Sequence, residues 1–157
     1  MTAIPADPVG IEKPTERKNY LNVTTTFMSW AGTLDHKRIG LMYLIGVTFA
    51  FLVGGVFALL LRLHLWDAVV GKQLTEYFFE PDRYNQFFTM HGMFMVFMFI
   101  IPAIPASLGN FALPLMLGAK DVALPRLNLA SFYLWLAGTI MAIASMIIAQ
   151  VDTGWTF

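Results

Sequence analysis

Ile39 to Leu61 reads IGLMYLIGVTFAFLVGGVFALLL, a run without one charged side chain. It is roughly 23 residues long, against the ~20 that a helix needs to cross the hydrocarbon core of a bilayer. Reading outward from it, two further segments meet that length. Tyr84 to Leu117 is longer and holds a single ionisable residue, His91, and Leu127 to Val151 is again uncharged. The connections between them are polar. Arg62 to Arg83 carries Asp67, Lys72, Glu76, Glu80 and Asp82, while the short Gly118 to Arg126 carries Lys120, Asp121 and Arg126.

Composition supports a membrane chain. Hydrophobic residues make up 57% of the sequence and charged residues 13%, where a soluble domain is about 25% charged. Such a chain has too little polar surface to face water on every side. The net charge of +0 provides no field that would draw it to nucleic acid. There is no cysteine, which removes disulfides, thiolate metal sites and cysteine nucleophiles. A transition metal here must use His, Met, carboxylate or a prosthetic group.

The pattern predicts an all-α membrane protein with three transmembrane helices. Residues 1–38 form a polar leader, without the early apolar run of a secretory signal. Helices over 39–62, 84–117 and 127–151 alternate with connections at 63–83 and 118–126, and 152–157 begin a further loop. Lys13, Arg17, Lys18, Lys37 and Arg38 gather before the first helix, and Lys120 and Arg126 lie in the second connection. By the positive-inside rule the N-terminus and the second connection are cytoplasmic. Pro102, Pro105 and Pro114 predict a kinked second helix whose freed carbonyls find partners on neighbouring helices.

His91 turns the reading toward function. An ionisable group inside a span is costly and is usually functional. Proton relay, hydrogen-bonded structural residue and metal ligand are all open to it. Phe87, Phe88, Phe94 and Met95 flank it at helical spacing, an apolar surround that suits a flat macrocycle better than a chain of water. Gly92 beside it leaves room for a large group. Arg62 ends the preceding helix at a similar expected depth, either as a snorkelling interface anchor or as a second hold on the same cofactor. At the opposite end, Asn110 lies roughly 28 Å from His91 along the helix. It falls near Asp121 and Asn128, where a carboxylate mouth with amides behind it can gather protons and order water. Helix capping is the ordinary role of such residues.

Four blocks in order resemble subunit I of the haem–copper terminal oxidases. They are Thr33-Leu34-Asp35-His36-Lys37-Arg38-Ile39-Gly40 with Tyr43-Leu44, then Thr89-Met90-His91-Gly92. Gly109-Asn110-Phe111 through Pro125-Arg126-Leu127-Asn128 is the third, and Asp152-Thr153-Gly154-Trp155-Thr156 the fourth. The resemblance covers nearly all of the chain past residue 30. It implies oxygen reduction to water coupled to proton uptake and pumping, within a bundle of about twelve helices. His91 is then one axial ligand of the iron of a low-spin haem, of A or B type, and Arg62 bonds a haem substituent. Asp121 is the mouth of a proton path, with Asn110 and Asn128 just inside it. The high-spin haem, the copper and their ligands are implied for the complete subunit and are not ligated here. The implied partners are the rest of subunit I, other oxidase subunits, cytochrome c or quinol as donor, and membrane lipid. The implied location is a bacterial inner membrane. The chain reads as a fragment that ends inside the fourth block.

Departures from the family pattern are Ala106-Ser107-Leu108 before Gly109, Lys120 in place of proline before Asp121, Leu129 in place of asparagine, and His64 where an acidic cation ligand is frequent. The last gives no expectation of that cation site. Two other classes are compatible with the segments alone. One is a different haem membrane protein, a nitric oxide reductase relative or a b-type cytochrome, against which the Asp121 and Asn128 block argues. The other is a three-helix scaffold without cofactor.

Overall fold

The computed structural model describes residues 19, 26–70 and 81–148, with helical backbone alone at 66–70 and 81. Most of the leader, part of the first connection and the block from Asp152 onward lie outside the described residues.

Helix α1 (Phe27–Ala31) is a short turn. Thr33 Oγ1 then accepts the Asp35 N–H at 3.3 Å, and Asp35 Oδ1 accepts the Lys37 N–H at 2.8 Å. This side-chain cap satisfies a backbone donor that would otherwise be orphaned at a helix start. Helix α2 (His36–Val70) therefore begins three residues before the expected span and continues past its expected end. Helix α3 (Pro81–Met93) continues into two π-helical stretches, Phe94–Ile100 and Ala103–Leu108, and then into α4 (Gly109–Leu117). Helix α5 (Pro125–Ile148) completes the set.

Three segments are long and apolar enough to cross a membrane: His36–Leu65, Asp82–Leu117 and Pro125–Ile148. They are apolar on nearly every side, so large side chains such as Leu52, Val56, Leu59, Leu134 and Ile147 face outward. A helix bundle in water would turn polar residues there.

Pro102 and Pro105 lie between and within the two π-helical stretches. Proline lacks an N–H and clashes with the carbonyl four residues back. Wider turns relieve that clash and let later donors reach five residues back, as Ile101 N–H does to Val96 O and Gly109 N–H to Ile104 O. Pro114 is carried within regular helix and is buried.

Helix α2 packs against both of the other spans. Its core contact with the His91 helix is a cluster of Ala50, Phe57, Met90 and Phe94, extended by Val53, Leu60, Phe87 and Met98. Close approach needs a missing side chain at Gly54, where a Cβ would stand 2.8 Å from Met95 Sδ. Helix α4 ends on Gly118 with φ 64°. Gly118 N–H returns to Leu115 O and Ala119 N–H to Pro114 O, the paired bonds of a Schellman turn. That turn sends the chain directly into the segment holding Asp121.

Candidate functional site

Polar chemistry is concentrated at two places, one around His91 and one around Asp121. His91 Nδ1 lies 2.9 Å from the backbone carbonyl oxygen of Gly54. A carbonyl can only accept, so Nδ1 carries the proton and donates. In the neutral ring the lone pair then belongs to Nε2, the form in which histidine binds metals. Beside the ring is an apolar cavity of about 210 Å³ lined by Phe88, His91, Gly92 and Val96. Phe88 is 51% exposed and Val96 41%, so this cavity opens away from the other two spans. The flanking aromatics divide their work. Phe87 stacks on Phe57 in the core at 5.9 Å between ring centres and Phe94 meets it tilted at 6.0 Å, and Phe88 is left for the cavity.

Arg62 is exposed and is not level with His91. The imidazole is bonded at Gly54, eight residues earlier on α2, roughly 12 Å along the axis at about 1.5 Å per residue. The expectation of similar depth is corrected by that offset. The cause is that α3 begins at Pro81 and runs farther beside α2 before His91 is reached. The arginine side chain and the width of any shared group would have to span the difference.

At the other end, Asn110 and Asn128 are joined to each other. Asn110 Nδ2 donates to Asn128 Oδ1 at 3.2 Å, and Asn128 Nδ2 donates back to Asn110 Oδ1. Asn110 is 4% exposed and gives its second proton to Ala106 O. The pair lines a cavity of about 440 Å³ with Pro105, Gly109, Leu113, Val122 and Leu124. Asp121 is bonded to neither amide. Its Oδ1 accepts the Val122 N–H at 2.7 Å and lies 2.9 Å from His36 Nδ1. A polar cavity of about 550 Å³ opens there, lined by Asn19, Leu34, Asp35, His36, Lys37, Lys120 and Asp121.

Two groups carry this polarity deeper and had no assigned role in the sequence reading. Tyr43 and Ser131 hydroxyls are 2.9 Å apart, and Ser131 Oγ donates to Asn128 O at 2.7 Å. With the serine proton so used, Tyr43 is the donor to Ser131. Helical spacing was the available signal. His36 and Tyr43 are two turns apart on α2, and Asn128 and Ser131 one turn apart on α5.

The same two clusters lie within a recognisable sequence family. A family model described as cytochrome C and quinol oxidase polypeptide I matches residues 38–157. The chain belongs to that family. It is 40% identical to a probable cytochrome c oxidase subunit 1-alpha of Streptomyces avermitilis over 146 residues, 92% of this chain and 24% of the relative. It is 37% identical to a cytochrome c oxidase subunit 1 of Thermostichus vulcanus over 123 residues, 78% of this chain and 21% of the relative. It is also 40% identical to a probable quinol oxidase subunit 1 of Staphylococcus epidermidis over 131 residues, 83% of this chain and 19% of the relative. The chain thus spans about a quarter or less of the length of these curated relatives. With the family shown, the three long apolar helices are those of an integral membrane protein.

Proposed function

We propose that this chain is the N-terminal part of the oxygen-reducing subunit of a membrane respiratory oxidase, contributing one haem ligand and the intake of a proton path. The observation that carries this reading is the His91 tautomer. With Nδ1–H held by Gly54 O, Nε2 is the free donor atom beside an apolar cavity. A hydrogen bond of this kind, from the ring nitrogen that does not bind the metal, fixes ring orientation and raises ligand basicity. The donor set therefore fits an axial ligand of a low-spin haem, A or B type. When bound, the haem supplies a reversible one-electron couple at the iron. The chain's own part is to present Nε2, to keep water out with Phe88 and Val96, and to offer the Arg62 guanidinium to a polar haem substituent.

Asp121 is the proton mouth in this reading. Its carboxylate is 46% exposed at the polar cavity, and the Asn110–Asn128 pair stands behind it as a polar waist in an apolar wall. Tyr43 and Ser131 extend the route inward. The second haem ligand, the high-spin haem and the copper belong to the remainder of the subunit. Other oxidase subunits and a cytochrome c or quinol donor complete the assembly. Lys37, Arg38, Lys120 and Arg126 support a cytoplasmic location for this end, in a bacterial inner membrane.

The test is a reduced-minus-oxidised spectrum of the intact complex, wild type against His91→Ala. Loss of the low-spin haem bands with the subunit still inserted is the expected result. An unchanged spectrum would leave His91 a packing residue, and the chain a scaffold at that end.

A further inference from the structure

The Asp121 carboxylate stands at the surface, yet one of its oxygens is firmly held. Oδ1 takes two donors, the Val122 N–H at 2.7 Å and His36 Nδ1 at 2.9 Å. Among the described residues Oδ2 has no hydrogen-bond partner. The histidine is the fixed member of the pair, since its side chain is 8% exposed against 46% for the aspartate. Its position is set by the start of α2. Asp35 caps that helix through the Lys37 N–H, and Ile39 N–H returns to Asp35 O at 3.1 Å. The ring is thereby anchored by the Thr33-Leu34-Asp35 turn, and it reaches across 85 residues of sequence to the segment after α4.

We propose that His36 is a positioning residue for proton intake, holding Oδ1 of Asp121 so that Oδ2 alone exchanges protons. This rests on the reading of Asp121 as a proton mouth. An exposed aspartate is free to turn about its side-chain torsions, and each productive proton transfer needs one orientation. Two donors on Oδ1 remove that freedom. They also satisfy Oδ1 as an acceptor and leave Oδ2 as the oxygen that takes a proton. A proton from bulk water adds to Oδ2, giving the neutral acid, and leaves from the same oxygen toward the interior, restoring the carboxylate. His36 neither gains nor loses a proton in the step. The charged neighbours facing the pair are Asp35, whose Oδ1 is 4.0 Å from His36 Nδ1, and Lys37 and Lys120 at the cavity wall.

The test uses the whole oxidase complex reconstituted in vesicles, with proton uptake in a single turnover read by a pH dye. Asparagine can place an amide N–H where Nδ1 stands, and glutamine carries its amide one methylene beyond. The expected result is that His36→Asn keeps uptake within about threefold of wild type, while His36→Gln and His36→Leu slow it about tenfold, the scale of one lost hydrogen bond to a charged group. Haem spectra unchanged in all three variants check assembly. Equal rates in His36→Asn and His36→Gln, whether both fast or both slow, overturn the proposal even if His36→Leu does not assemble. Asp121→Asn separates the two levels. Uptake lost in Asp121→Asn but unchanged in His36→Gln overturns the positioning role alone, and uptake unchanged in Asp121→Asn overturns the mouth and the proposal with it.

Discussion

The His91 end and the Asp121 end of this molecule solve opposite problems. Around His91 a single polar ring is set among apolar groups, held by one bond to a backbone carbonyl and facing a cavity that opens outward. Around Asp121 the polar side chains answer one another: His36 with Asp121, Asn110 with Asn128, and Tyr43 with Ser131. The first end opens outward from these three helices. The second is organised by the three helices themselves. An apolar setting suits a site that must hold a large, flat group and exclude water. A mutually bonded polar set suits a route in which protons pass between fixed donors and acceptors.

Damage at one end is expected to leave the other intact. The largest effect is expected from His91→Ala and Asp121→Asn compared in the same complex. The first removes the low-spin haem bands. The second leaves them in place and slows proton uptake at least about tenfold, by loss of a charged group in the route. A spectrum altered by Asp121→Asn would break the independence of the two ends. Gly54→Val comes next. Its side chain would drive into Met95 Sδ and push α2 from the His91 helix, a strain of about 1–3 kcal/mol. The midpoint for thermal loss of haem absorbance should fall, and the low-spin band should shift as the Gly54 O bond to His91 loosens.

The smaller effects sharpen the Asp121 side. Asn110→Ala leaves Asn128 with a broken partner and costs about 1–3 kcal/mol, read as a drop in the same thermal midpoint. Asn110→Leu with Asn128→Leu should cost less than the two single changes added together, because no orphaned amide remains. Additive costs would mean that the two amides are not a unit. Tyr43→Phe removes one hydroxyl donor from Ser131, about 0.5–1.5 kcal/mol, and is the smallest change expected.

The three spans were legible because the bilayer imposes a length and an absence of charge, and Ile39 to Leu61 has both. The start of α2 was not, because Asp35 and His36 look like part of a polar leader. Only the cap formed by Thr33 and Asp35 carries the helix out to them. His91 was legible as an anomaly, one ionisable residue in a long apolar run. Its partner was hidden, since every residue has a carbonyl and nothing in Gly54 announces that its own will be reached. Asn110 and Asn128 could be grouped with Asp121 by their depth on the helices that flank its connection. Their pairing could not, because depth fixes height and leaves open which sides of the helices meet. His36 and Asp121 are far apart in sequence and meet only when α2 and the Gly118 turn are both in place.

The two π-helical stretches between His91 and Asn110 bear on that question of facing. A widened turn is what a regular helix becomes when it absorbs an additional residue without lengthening by a full step. In that sense Phe94–Ile100 and Ala103–Leu108 act as two phase adjustments between the ends of one continuous span. Taking one residue out of either stretch would return it toward ordinary helix with little change of phase beyond it, whereas the same deletion in regular helix would rotate everything beyond by about 100°. His91 would still face Gly54 and Asn110 would still face Asn128, but rewinding a wide turn to regular helix with every residue kept would turn Asn110 away. The relative facing of His91 and Asn110 is therefore set by how the residues between them are wound, a stretch in which Ser107 is buried and donates to Gly40 O.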